Sequence, residues 1–486
     1  MNGLATLVLA LILPWLSSSL ILHTLMKSNS SAHQNAHWAL SLGSGYLLGM
    51  MLSAAMLWLG AQLGGTFYFW SALGLWLILL LATLVWTRPW QNVRPNFSPP
   101  AIPIWQKLFL GLFLTLIALR LTSLGIEITH QAMPAWDAWI IWAERAKNWF
   151  YLGQLAPYVP TETWLNAPSG SYESEAAHYP ILVSLIHLWA ALALGRWDEA
   201  LVNLPWLGAG IALALTLYGA LRSSHIPAWL TLGGVWMLLS LPILNTQIAI
   251  AGYADLWLTL AYSQLIFGLL LWIGARQRAA LILILLGLFS LPLIKHQVWL
   301  LLLASTSPLL IWAIFIAIPP RLRIGFGVAL CVGTVLFLAL NLSNDHLHLP
   351  VLGDISLQAT QLVLPGLGKV APDFGSIAEP MLFHLFILDS WHMLWGISAF
   401  AWLILIVRLL RQNPHDLTLI ALNISLLSNL LLYALSYASP RVLPFIIDGT
   451  LVNRGLLYLA PLLIFVIIHA LNPTRVDIDI SSSTTK

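Results

Sequence analysis

Apolar runs of about twenty residues recur from one end of this 486-residue chain to the other, and no other feature constrains its fold so tightly. A run of that length crosses the hydrocarbon of a bilayer as a helix, at roughly 1.5 Å per residue. The expected fold class is therefore all-α, a polytopic integral membrane protein of about 13 transmembrane helices. They are expected at about residues 4–25, 38–60, 67–87, 106–124, 201–221, 227–244, 253–274, 279–296, 299–318, 324–342, 382–407, 416–437 and 454–471. A hydrophobic share of 59% with 8% charged residues, and a mean hydropathy of +0.85, exceeds what a water-soluble core needs. The first run lacks a basic leading segment and a clear small-residue cleavage site, so it is expected to stay as a span rather than leave as a signal peptide.

Charge sets the orientation. With the N-terminus outside, one set of loops collects Lys27, Arg88, Arg94, Lys107, Arg222, Arg276, Arg278, Arg321, Arg323, Arg408, Arg411, Arg475 and Lys486, the majority of the 21 basic residues. That is the asymmetry expected of cytoplasmic loops. A pI near 9.0 invites a nucleic-acid partner, but basic residues scattered singly or in pairs between apolar runs give no binding stripe, and none is expected. Membrane lipids are the expected surroundings. Keeping these loops on one side requires the short run "YPILVSLIHLWAALALG", 179–195, to lie on or dip into the outer leaflet rather than cross. His187 within it reads as an interfacial or packed histidine. The single cysteine, Cys331, sits in an apolar run and allows no intramolecular disulfide, and no CxxC or His/Cys zinc pattern occurs.

Of the 18 acidic residues, Asp416, Asp477 and Asp479 alone fall on the cytoplasmic side. Carboxylates barely influence insertion, so this bias points to a working outer face. Two outer segments, 125–200 and 343–381, are long enough to fold, and loops of such length usually carry function. The expected organisation is N-terminal transmembrane helices over 1–105, a transmembrane body over 106–472 holding both long outer segments, and a disordered cytoplasmic tail over 473–486. No internal repeat appears, which weakens a transporter built on duplicated halves.

The stretch "MPAWDAWIIWAERAKNWF", 133–150, is unusual in carrying four charges and four tryptophans in so apolar a chain. Trp139, Trp142, Ala146 and Trp149 recur at helical spacing, an aromatic stripe suited to the headgroup layer. Asp137 stands at the start of this helix, where it either caps the helix or faces a cavity at the membrane surface. "GYADL", 252–256, puts Asp255 where a span begins, and an ionisable group so close to hydrocarbon is costly unless paired or hydrated. "LIKHQVW", 293–299, puts Lys295 and His296 in an outer hairpin, and Arg454 opens the last span. These acids and cations either converge on one outer cavity or snorkel separately.

At these residues the chain resembles the type C glycosyltransferase superfamily, particularly bacterial members akin to protein mannosyltransferases and lipid A aminoarabinose transferases. "WDAWIIWAERAK", "HYP" at 178–180, "GYADL", a lysine in an outer hairpin and an arginine opening the last span carry the likeness, over roughly residues 106–472. The resemblance implies a membrane enzyme that takes a sugar from a polyprenyl phosphate or pyrophosphate and transfers it, usually with inversion, to a glycan, lipid or protein acceptor. It implies an active site on the periplasmic face of the bacterial inner membrane, with juxtamembrane helices matching 137–152 and 178–198. Asp137 and Asp255 match its acidic residues, and Lys295 and Arg454 are expected to hold the donor phosphate. Trp136, Arg145, His178, Tyr179 and His296 are the expected substrate contacts. Where related chains read Lys-Asn-Glu-Gly, this one has Lys295, His296, Gln297 and Val298, so the glutamate and any metal role it has are lost. Arg145, Ala146 and Lys147 stand for the family's Lys-Ala-Lys. No cofactor is required by this reading. A divalent Mg or Mn ion between Asp137 and Asp255 is the alternative, a thin site with two carboxylates. The competing classes are a transporter or flippase of a lipid-linked sugar, a polysaccharide polymerase or ligase, and a non-catalytic scaffold.

Overall fold

The computed structural model describes residues 3–26, 34–87, 102–133, 135–166, 170–174, 176–342, 347–349, 353–358, 361–364, 368–370, 374–411, 414–437 and 442–472. Four helices lead the chain, α1 (Gly3–Met26), α2 (Gln34–Gly64), α3 (Phe69–Thr87) and α4 (Ile104–His130). The segment after α4 holds a π-helical turn Ala138–Trp142, α5 (Ala143–Leu152), β1 (Tyr158–Val159), α6 (Thr161–Trp164), β2 (Tyr172–Glu173) and α7 (Leu182–Leu194). Then come α8 (Leu204–Ser223), α9 (Ala228–Ser240), α10 (Pro242–Ala249), α11 (Asp255–Ala275), α12 (Arg278–Ile294), α13 (His296–Ala317) and α14 (Pro320–Leu342). Beyond β3 (Leu347–Leu349), β4 (Gly353–Gln358), β5 (Gln361–Leu364) and β6 (Gly368–Val370), the chain closes with α15 (Phe374–Leu382), α16 (Leu394–Arg411), α17 (Leu417–Tyr437), α18 (Leu443–Ile447), α19 (Val452–Leu456) and α20 (Ala460–Leu471). Among the described residues the strands are short and fall within 125–200 and 343–381: β1 and β2 pair in parallel, and β3 to β6 form an antiparallel meander.

This is an all-α membrane protein. Among the described residues nine helices are long and apolar enough to cross a membrane, or ten if the bent pair α9 and α10 counts as one. The remaining three expected spans fall on α12, α13 and α14. Centre and rim of the bundle differ sharply. The apolar stretch of α11 is 94% buried against other helices and that of α4 only 6%, so α11 is the central strut and α4 presents its sides to lipid. Polar groups on α11 must find protein partners, and they do: Gln264 Nε2 donates to Thr216 Oγ1 of α8 at 2.8 Å and its Oε1 accepts from Ser44 of α2 at 2.8 Å.

Three expectations need correction. The interval 227–244 is bent by 65° between α9 and α10, where Pro242 removes a backbone donor. The interval 382–407 is interrupted between Ile387 and Leu394, because Leu388 is extended and His392 takes a positive φ of 50°. The two interruptions meet: Ile243 N donates to Ser390 O at 3.1 Å and His392 Nε2 lies 3.1 Å from Ser240 O, satisfying backbone groups that the breaks release. Finally, of the two forms expected for 179–195, α7 is not the one that lies on a lipid surface, which leaves the one that dips inward. Nearly all of its residues are buried in protein, and Trp189 Nε1 donates to Ala10 O of α1 at 2.8 Å. The leading helices α1 and α2 therefore supply the walls that a surface-lying helix would lack. His187 is packed as one of the two expected alternatives, against Trp206 with its Nε2 3.3 Å from Asn203 Oδ1.

Candidate functional site

After α4 the chain turns through Gln131, which is extended, and re-enters helix at Trp136. The first turn then widens to π geometry over Ala138–Trp142, a form that recurs at functional sites. The wider turn splits the expected aromatic stripe. Trp142, Ala146 and Trp149 point into the core while Trp139 is exposed, because a π turn rotates the residues before it relative to those after it. Trp136 is exposed as well, with its ring 4.9 Å from that of Trp139.

Asp137 makes no capping hydrogen bond to this helix. Its Oδ2 instead accepts from Arg454 Nη2 at 2.5 Å, across 317 residues of sequence. The same guanidinium reaches Asp255 Oδ2 through Nε at 2.9 Å and Nη2 at 2.8 Å. Asp255 Oδ1 accepts from Tyr458 Oη at 2.5 Å and is 3.4 Å from Lys295 Nζ. Asp137, Asp255, Lys295 and Arg454 thus form one constellation, built from the segment between α4 and α5, the start of α11, the α12–α13 break and α19. It satisfies the costly condition set by Asp255, whose side chain is 2% exposed at the N-terminus of a membrane helix: the carboxylate is fully partnered and faces the helix dipole favourably.

The two acids are not equivalent. Asp255 is held by an arginine, a tyrosine and a lysine, whereas Asp137, with 26% of its side chain exposed, offers an Oδ1 that accepts no bond from the described residues. Asp255 is an anchor for cations and Asp137 an acid with an oxygen to spare.

Aromatic residues frame the group. Tyr253 lies under Arg454, 4.3 Å from guanidinium carbon to ring centre, and its carbonyl accepts from Trp206 Nε1 at 2.8 Å. Gly252, one residue earlier, has φ of +106°, and a Cβ there would collide with that of Ala138. Only glycine lets the loop before Asp255 lie against the turn after Asp137. Tyr179 stacks on Trp142 at 5.4 Å, and burial first, then the charges of Asp137 and Asp255, push its phenol up.

Arg145 is buried and spends its guanidinium on the carbonyls of Tyr179, at 3.0 Å, and Ala176, with Tyr158 5.3 Å below. Burial draws its pKa down while Tyr158 and Glu144 oppose this. Its visible work is to fix the "HYP" segment and hence Tyr179. His178 is exposed, its ring 4.6 Å from that of Tyr179. His296 opens α13, and its side chain lies outside the described residues.

Asp137 and Asp255 share a fixed cation, and among the described residues no three His, Cys, Asp or Glu side chains gather as metal ligands. A divalent ion between these carboxylates would face Arg454 and Lys295, so this donor set does not fit one. Tyr458 and Gly252 join the expected residues at the site; Tyr458 stands four residues after Arg454, one helical turn along the same face, and Gly252 opens "GYADL". No protein-family model, curated protein or solved structure matches the chain.

Proposed function

We propose that the chain is a glycosyltransferase of the inner bacterial membrane that moves a sugar from a polyprenyl-phosphate carrier to a glycan, lipid or protein acceptor on the periplasmic face. The observation that carries this reading is the asymmetry of the acids: one carboxylate saturated by cations, the other holding an oxygen open beside the same arginine. A sugar on a lipid phosphate already has a good leaving group. What its transfer lacks is a deprotonated acceptor and charge compensation on the departing phosphate.

Asp137 Oδ1 takes the proton of the acceptor O–H or N–H as that atom attacks the anomeric carbon. The bond from this carbon to the phosphate oxygen breaks, and the oxygen leaves with the electron pair. Attack from the face opposite the phosphate inverts the anomeric centre. Arg454 and Lys295 receive the phosphate, the arginine as a planar fork and the lysine as a mobile point charge. Asp255 keeps both cations at the site between turnovers. Tyr179, fixed by Arg145, and the exposed Trp136 and His178 border the approach of the sugar or acceptor. The accompanying topology is 13 spans with the N-terminus outside and the segment 125–200 in the periplasm.

Transport of a lipid-linked sugar is the second reading, and the paired interruptions at Pro242 and Ser390 favour it, because discontinuous helices that face one another are a device of transporters. Lipid analysis of a strain lacking the chain tests the proposed transfer. A polyprenyl-linked sugar is expected to accumulate while a cell-envelope glycan goes without that sugar. Unchanged lipids and glycans would count against both readings.

A further inference from the structure

Beneath the carboxylates lies a pair of side chains that the proposed transfer leaves without a task. Tyr433 and Tyr437 stand one turn apart on α17, both more than nine-tenths buried, with ring centres 5.9 Å apart. Neither hydroxyl has a hydrogen-bond partner among the described residues. Several polar side chains on this helix and those packed against it are paired: Tyr262 Oη donates to Asn429 Oδ1 at 2.6 Å, Asn429 Nδ2 to Ser425 O at 2.8 Å and Ser428 Oγ to Ser305 O at 2.6 Å. Phenylalanine would fill the two positions equally well, and a buried unpaired hydroxyl costs stability.

Both phenols adjoin the constellation. The Tyr437 oxygen packs over Gly455, the residue after Arg454, only 2.5 Å from where a Cβ would stand. Tyr433 is close enough to Asp255 to interact with its charge. The groups gathered here, Arg454, Lys295 and two phenols, offer hydrogen-bond donors in excess. Asp255 already accepts from Arg454 and Tyr458, and neither phenol bonds to the open oxygen of Asp137, so each hydroxyl has a hydrogen bond left to give.

We propose that Tyr433 and Tyr437 are phosphate-binding residues, donating their O–H groups to oxygens of the anionic group that Arg454 and Lys295 attract. This rests on the reading of the site as one for a phosphate-bearing lipid, and adds to it a neutral, buried part of the phosphate site supplied by α17. Phenols suit that place because they donate to phosphate without adding charge to a buried cluster.

The test uses the full chain in lipid nanodiscs, wild type against Y433F, Y437F and the double variant, titrated with a polyprenyl phosphate, the matching polyprenol and inorganic phosphate. Each Phe substitution is expected to weaken polyprenyl phosphate about tenfold or more, the loss of one hydrogen bond to a charged group. Polyprenol binding is expected to stay unchanged, as is the Tm without ligand, or the Tm rises. Inorganic phosphate showing the same phenol dependence also supports the assignment, with the lipid dispensable for recognition. Equal phosphate affinity in wild type and Phe variants overturns it alone, as does a Tm lowered without ligand, which would mean that the hydroxyls have protein partners. A wild type that fails to prefer polyprenyl phosphate over polyprenol and does not bind phosphate overturns it together with the reading of the site.

Discussion

Asp137 and Asp255 show one side chain put to two uses by its surroundings. Removing Asp255 leaves Lys295 and Arg454 partly buried without their shared anion, so Asp255→Ala is expected to cost about 2–3 kcal/mol of stability, below the ~3–5 kcal/mol of a fully buried pair, measured by unfolding in detergent. Asp137→Ala is expected to shift the unfolding midpoint far less, since Arg454 keeps Asp255. Equal losses would refute the division into anchor and base. Glu144 gives a pH prediction outside the spans: burial, then repulsion from Glu173, raises its pKa against the pull of Arg145. A carboxyl whose pKa is raised on folding contributes stability that is present below the ordinary carboxyl range and lost as pH rises through its folded value. Tm is therefore expected to fall over that rise, and Glu144→Gln to remove the step; an unaltered Tm profile in the variant would contradict it. Asp137, Asp255, Lys295 and Arg454 were legible in the sequence because charged residues are few in so apolar a chain and an acid bordering hydrocarbon is costly unless partnered. Their pairing was not, since it joins residues up to 317 apart.

Elements were legible where hydropathy alone decides them. Helices cover all thirteen expected intervals, yet the bend at Pro242 and the interruption near Ser390 depend on backbone partners from a distant segment, which periodicity cannot carry. The aromatic stripe splits for a related reason: helical spacing places Trp139 and Trp142 on one face, and the π turn between them moves them apart. Gly252 holds that turn against the loop before α11. Gly252→Ala is expected to push Asp137 and Asp255 apart and reduce activity about tenfold or more, as misplacement of reacting groups by ~1 Å can cost ~100-fold. Normal activity in the alanine variant would show that the close approach is dispensable.

At the scale of the whole molecule, the leading helices are part of the core. Ala10 accepts from Trp189, Tyr46 Oη donates to Pro205 O at 2.9 Å, and Ser44 meets Gln264 of the central α11. A chain starting at residue 106 is expected to aggregate on extraction, read by size-exclusion chromatography; a monodisperse truncated protein would make those helices separable. Their sequence showed three spans outside the resemblance but gave no sign of what they cover, because an apolar face looks alike whether it meets lipid or protein. The most direct test of the central claim is single-turnover transfer by the purified protein from a radiolabelled polyprenyl-phosphate sugar, wild type beside Asp137→Asn. The account predicts that wild type cleaves the sugar from phosphate, and that the variant binds the donor but transfers about 100-fold more slowly or worse. An intact sugar–phosphate bond in the presence of wild type, or an Asn variant as fast as wild type, would contradict it.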